Sequence, residues 1–231
     1  MGTVAKDGRT DKENDDRAAA GLFRFAVADG ATDAGRAGTW AEILVDAFVR
    51  NWPAPVDIFA PNHLAALREQ WRSEVYRPDL PFHATWKLDL RPGAAAFVGV
   101  EVDWRARTYS AVAVGDCCLL HIRGDELVTV GPIDDWKEFG SRPQLVKAAA
   151  GEETFRRAVW RNAGRYESAD VLLLASDALA QCLLRRFQEC DAADIETWDT
   201  GLRNGFAEWV SARRAHGELN NDDTTMCMVM L

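Results

Sequence analysis

The sequence predicts an α+β fold, one domain over residues 1–231, in which helices pack on antiparallel strands. Three observations carry this. Short apolar runs closed by turn residues recur along the chain, and segments with apolar residues at helical spacing lie between them. No linker, repeat or low-complexity tract divides the sequence.

Phe23 to Ala28 is a short apolar run ended by Asp29-Gly30, the pattern of a buried strand entering a turn. Thr39 with Glu42 three residues on has the form of a capping box, opening a helix with Trp40, Ile43, Leu44, Ala47 and Phe48 on one face. Leu64, Leu67, Trp71 and Val75 mark a second amphipathic helix begun after Pro61. Ala95 to Val102 is strand-like, and Tyr109 to Ile122 is a longer β segment interrupted at Gly115-Asp116. Gly124-Asp125 supplies a turn before a further strand, Glu126 to Val130. Val171 to Ala175 is apolar throughout and closed by Ser176-Asp177. A helix with Leu179, Leu183, Leu184 and Phe187 follows it, then a long helix with Ile195, Trp198, Leu202, Phe206 and Trp209. Thr224 to Leu231 reads as a buried closing strand.

Composition narrows the function classes. Apolar residues make up 48% and charged residues 27%, with nine Trp and ten Phe, which suits a packed core. No apolar run is long enough to cross a bilayer, so no membrane partner is expected. Met1 to Asp16 lacks the apolar stretch of a signal peptide, and a cytoplasmic location is the expectation. The net charge of -9 disfavours nucleic acid, which requires a basic footprint. The five cysteines, Cys117, Cys118, Cys182, Cys190 and Cys227, form no CxxC pair and read as reduced, mostly buried thiols. Four scattered histidines show no metal-ligand spacing, and neither a Walker loop nor a Gly-x-Ser-x-Gly elbow occurs. Arg156-Arg157, Arg185-Arg186 and Arg213-Arg214 read as solvated helix faces.

The chemistry lies in aspartates at the ends of apolar strands. Asp29 follows Phe-Ala-Val-Ala, Asp177 follows Val-Leu-Leu-Leu-Ala-Ser, and Asp222-Asp223 precede the last strand. Asp116 sits within a β segment. One such residue is more often a turn or cap. Several converging carboxylates repel one another and must be protonated or bind hard cations, Mg²⁺ or Mn²⁺. Two such ions roughly 3.5–4 Å apart can lower the pKa of a shared water and aim it at phosphorus.

In their order and intervals these segments resemble the metal-dependent protein phosphatases (PPM, type 2C). The segments are Gly8-Arg9-Thr10-Asp11-Lys12-Glu13-Asn14-Asp15-Asp16, Ala26-Val27-Ala28-Asp29-Gly30, Val114-Gly115-Asp116 with Leu119 to Gly124, Leu172 to Asp177, and Asp222-Asp223-Thr224-Thr225. The resemblance, to a divergent bacterial-type member, spans essentially the whole chain. It implies a four-layer α-β-β-α sandwich with two central, mostly antiparallel sheets, and serine/threonine phosphoprotein phosphatase activity through a water bridging two divalent cations. It assigns Asp29 as the bridging carboxylate, with the Gly30 carbonyl on one ion and Asp177 and Asp222 on the other. Asp116 with Asp177 would form a third site, and Asp15 and Asp16 would act through waters or behind the ligands. Asp29, Asp177 and Asp222 would thus be catalytic through the bridging water.

The sequence departs from the family pattern in places. Asp11 stands where the family has a phosphate-binding Arg, leaving Lys12, Arg9 or Arg36 for that task. Asp15 replaces Glu, Cys117-Cys118 replace Ser-Arg, and Ala178 replaces Gly. The stretch from Gly131 to Trp136 with Phe139, Arg142 and Pro143 is similar to a bacterial branch encoded beside a kinase and a von Willebrand factor A-type protein. The partners implied are a phosphorylated protein and a cognate kinase with its targets. The alternative is a pseudophosphatase that binds partners without turnover. The retained aspartates favour catalysis, because clustered like charges without a cation destabilise the fold.

Overall fold

The computed structural model describes residues 1–50, 57–140, 142–151, 154–189 and 205–231. Two sheets, antiparallel throughout, form its centre. One runs β1 (Gly2–Val4), β11 (Thr224–Met230), β10 (Val171–Ala175), β6 (Cys118–Arg123) and β7 (Glu126–Gly131). The other runs β2 (Arg17–Ala20), β3 (Arg24–Gly30), β4 (Ala94–Asp103), β5 (Thr108–Val114) and β9 (Trp160–Arg165), with β8 (Val146–Lys147) paired to β4.

The pleat sorts the strand residues into three apolar layers. Val27, Val98, Val100, Leu119, Leu172, Leu174, Cys227 and Val229 meet between the sheets. Their chain neighbours face outward. Ala26, Ala28, Ala95 and Phe97 pack under α1 (Ala37–Arg50), α2 (Pro61–Val75) and Leu88 of α3 (Phe82–Leu90). Cys118, Leu120, Leu173 and Met226 pack under α4 (Asp177–Glu189) and α5 (Phe206–Ala215). The result is the α-β-β-α sandwich.

α2 begins at Pro61 and buries Leu64, Leu67, Trp71 and Val75, as the spacing predicts. The other expectations need adjustment. The β segment from Tyr109 to Ile122 is two strands in opposite sheets, β5 and β6. Gly115, at φ 86°, makes the crossover, and a Cβ there would lie 2.7 Å from the Ala96 Cβ. α1 starts at Ala37, two residues before Thr39, so Thr39 and Glu42 lie within the helix. The Asp15 carboxylate instead accepts from the Gly38 N–H at 3.0 Å. Of the long helix near the C-terminus, Phe206 and Trp209 lie in α5, while Ile195, Trp198 and Leu202 fall outside the described residues, as does Cys190. Cys117, Cys118, Cys182 and Cys227 are free and buried. No helix among the described residues is long and apolar enough to cross a membrane.

Candidate metal centre

Strand register gathers the aspartates at one end of the sandwich. Asp29 is two residues past Val27 on β3, so it shares Val27's face, toward the space between the sheets. Asp116 sits in the β5–β6 crossover. Asp177 opens α4 directly beyond β10, and its carboxylate accepts from the Ala178 N–H. The Ser176 N–H donates to the Thr225 carbonyl at 3.0 Å, which continues the β10–β11 pairing and brings Asp177 beside the Asp222-Asp223 turn. Gly30 is needed for the approach of the N-terminal loop: a Cβ would lie 2.7 Å from the Asp15 carbonyl oxygen and 2.9 Å from the Ala37 carbonyl carbon.

These carboxyl groups act on one another electrostatically. Burial pushes Asp29 well above its usual value, and Asp16, Asp177 and Asp116 push it further. Asp29 and Asp177 lie close enough to interact directly, which raises Asp29 and opposes the rise of Asp177. Burial first, then Asp177 and Asp222, raise Asp116 to about 7. Asp177 is raised by burial and by Asp222, against lowering contributions from the Ala178 N–H and Lys6. Asp15 is raised mainly by burial, offset in part by the Gly38 N–H.

Asp16 is the most confined of them. It is 2% exposed and reaches about 8 through burial, then through Asp177 and Asp223, with the Ser176 and Thr225 hydroxyls opposing. Neither of its oxygens has a partner within hydrogen-bond geometry. A buried acceptor pair short of well-placed donors, beside further carboxylates, is chemistry that a cation or its bound waters would satisfy.

The donor set therefore fits hard divalent cations: it is all oxygen, rich in charge and under-compensated. As they stand, no three Asp, Glu, His or Cys side chains among the described residues are grouped to hold one ion. Asp222 Oδ1 accepts from Lys6 Nζ at 3.2 Å and from the Asp223 N–H at 2.9 Å.

Three contributors escape a reading of the sequence. Asp223 is buried and accepts from the Lys6 N–H and the Asp15 N–H, both at 2.9 Å, so it organises the loop, and its charge acts on Asp15 and Asp16. Lys6 brings a cation to Asp222. Arg214, read from sequence as a solvated helix residue, has a side chain only 4% exposed. It donates to the carbonyls of Ala5 and Asp222 and to the Thr224 hydroxyl, clamping both chain ends. Each residue meets partners more than 200 positions away or across α5, so spacing carried no signal of it.

The three residues expected to bind phosphate lie differently. Lys12 is exposed. Arg9 is exposed, donates to the Glu13 carbonyl at 3.5 Å and lies within electrostatic reach of Asp15. Arg36 lines a cavity of about 490 Å³ with Thr39, Glu74 and Arg77, on the α2 side.

No family model matches the chain, and no curated protein matches it. Solved structures do. The serine/threonine phosphatase PstP/Ppp of Mycobacterium tuberculosis is 17% identical, with a TM-score of 0.62 over 99% of this chain and 96% of that one. The catalytic domain of PstP in complex with two manganese ions is 16% identical, with a TM-score of 0.58 over 99% and 96%. PppA, a regulatory component of T6SS in Pseudomonas aeruginosa, is 20% identical, with a TM-score of 0.55 over 98% and 93%. From end to end, this chain has the fold of the metal-dependent serine/threonine protein phosphatases.

Proposed function

We propose that the chain is a single-domain phosphatase that hydrolyses phosphoserine and phosphothreonine on proteins with two Mg²⁺ or Mn²⁺ ions. One observation carries the reading: Asp29, Asp116, Asp177 and Asp222, from four separate stretches of chain, come close enough at one end of the sandwich that the charges of Asp177 and Asp116 act on Asp29 and the charge of Asp222 acts on Asp116 and Asp177. Asp29 and the Gly30 carbonyl would hold ions together with Asp177 and Asp222. Asp116 with Asp177 would hold a third ion, and Asp15 and Asp16 would act through waters or behind the ligands. The ions, when bound, supply an activated water and neutralise charge on the phosphoryl oxygens.

The chain's own residues do the positioning. Rigid strand ends fix Asp29 and Asp177, and Asp223 and Arg214 hold the Asp222 turn against the N-terminal segment. The phosphate end of the substrate falls to Arg9 or Lys12, both exposed near the N-terminus, or to Arg36. A phosphorylated protein as substrate is supported by the serine/threonine phosphatases of like fold, and a paired kinase follows from such a substrate. The net charge of -9 argues against nucleic acid. Free, buried thiols suit a reducing, cytoplasmic setting.

The test is phosphate release from p-nitrophenyl phosphate and from phosphoserine and phosphothreonine peptides, with Mn²⁺ and with EDTA. Activity with Mn²⁺, lost in EDTA and lost by most of its rate in Asp29→Asn, is expected. A folded protein with no metal-stimulated turnover on any of these substrates would leave the pseudophosphatase reading in its place.

A further inference from the structure

β1 pairs with β11 in the register Val4↔Thr224, which carries the residues after Val4 along the Asp222-Asp223 turn. The Lys6 N–H donates to Asp223 Oδ1 at 2.9 Å, so the main chain of Lys6 is fixed to that turn. Its side chain is 17% exposed and reaches the Asp222 carboxylate, which is 46% exposed. Nζ donates to Asp222 Oδ1 and to the Thr32 hydroxyl, both at 3.2 Å. Neighbouring cations are directed elsewhere: Arg17 donates to the carbonyls of Asn14 and Asp16, and Arg214 to the carbonyls of Ala5 and Asp222. The Lys6 ammonium is thus seated on a carboxylate oxygen assigned above to a metal.

We propose that Lys6 is a built-in counter-cation of the carboxylate cluster, competing with a divalent ion for Asp222 so that the second ion binds weakly. This rests on the metal-centre reading and adds to it. An ammonium on Asp222 offsets like-charge repulsion when ions are absent, and an incoming ion must displace it to use that oxygen. Partial solvent exposure of the pair limits the effect to about three- to tenfold in affinity.

Mn²⁺ alone is the probe, titrated calorimetrically into EDTA-stripped wild type, Lys6→Met, Lys6→Gln and Lys6→Arg. Thermal unfolding confirms that each variant is folded, and Lys6→Gln, which keeps a hydrogen-bonding head without charge, serves if Lys6→Met does not fold. Both neutral variants should tighten the weaker Mn²⁺ affinity by about three- to tenfold, while Lys6→Arg should not. Neutral variants that bind Mn²⁺ as wild type does, or more weakly, overturn the role of Lys6 and leave the metal centre standing. Absence of binding in wild type and all variants overturns the metal centre itself. Binding that emerges only in the neutral variants supports the competition.

Discussion

Asp16→Asn should stabilise the metal-free protein at neutral and alkaline pH, although it alters a residue of the centre. Asp16 is 2% exposed, and neither carboxylate oxygen has a partner in good hydrogen-bond geometry, the nearby Ser176 and Thr225 hydroxyls opposing burial only in part. Burial and its acidic neighbours raise it from 3.8 to about 8, so at pH 7 it is held protonated against its preference in the unfolded chain. At about 1.4 kcal/mol for each pH unit above the ordinary aspartate value, this costs on the order of 4 kcal/mol at pH 7. Because the folded value is raised, the stability tied to Asp16 is complete below about pH 4 and is lost as the pH rises through about 8. Asparagine removes that dependence but places amide hydrogens where acceptors stood, returning about 1–2 kcal/mol. A net gain of about 2 kcal/mol corresponds to a rise in Tm of about 4–8 °C for a chain of this size. Thermal unfolding in EDTA at pH 5, 7 and 8 measures it. The variant's advantage should grow with pH, and should shrink or reverse in saturating Mn²⁺, where an ionised Asp16 serves the ions. A variant less stable than wild type in EDTA at pH 8, by a margin that does not change from pH 5, would refute the account of Asp16.

At the opposite end of the inter-sheet core, Asp170 accepts from His121 Nε2 at 2.8 Å, from Arg123 Nε at 2.9 Å and Nη2 at 2.8 Å, and from the Glu167 N–H at 2.8 Å. Burial opposes its ionisation, but Arg123, the Glu167 amide and His121 outweigh burial and hold it well below the usual range. The stability it contributes is therefore present above about pH 4 and lost as the pH falls below that value, and Asp170→Asn should cost about 3 kcal/mol at pH 7 and flatten the acid limb of Tm against pH. Arg214→Met removes donors to Ala5, Asp222 and Thr224, so Mn²⁺ affinity measured by calorimetry should fall by about tenfold, with Arg214→Lys recovering part of it. Unaltered affinity in folded Arg214→Met would show that the clamp serves stability alone.

Much of the fold was legible because its central strands carry their own signal. β10 is apolar in every residue and buried in every residue, and its bounds follow from sequence. Edge strands were not legible. β2 is Arg-Ala-Ala-Ala, a sequence with little strand preference, and exists because β3 offers a partner. β1 is three residues that pair with β11. The β5–β6 crossover was hidden because apolar strand residues lie on both sides of Gly115-Asp116, so the break reads as an interruption within one strand, whereas the turn at Gly115 marks a change of sheet. At the candidate centre, strand-end aspartates stood out by chain order. Lys6 and Arg214 did not, since contacts spanning 216 and 209 positions depend on which chain ends lie together.

The central claim, that Asp29, Asp177 and Asp222 meet around bound cations, is tested most directly by anomalous diffraction from a crystal soaked in Mn²⁺. The account predicts two anomalous peaks touching the Asp29 carboxylate, with Asp177 and Asp222 on one of them and Lys6 moved off Asp222. A well-ordered end of the sandwich with no Mn²⁺ peak beside Asp29, at saturating metal, would contradict it.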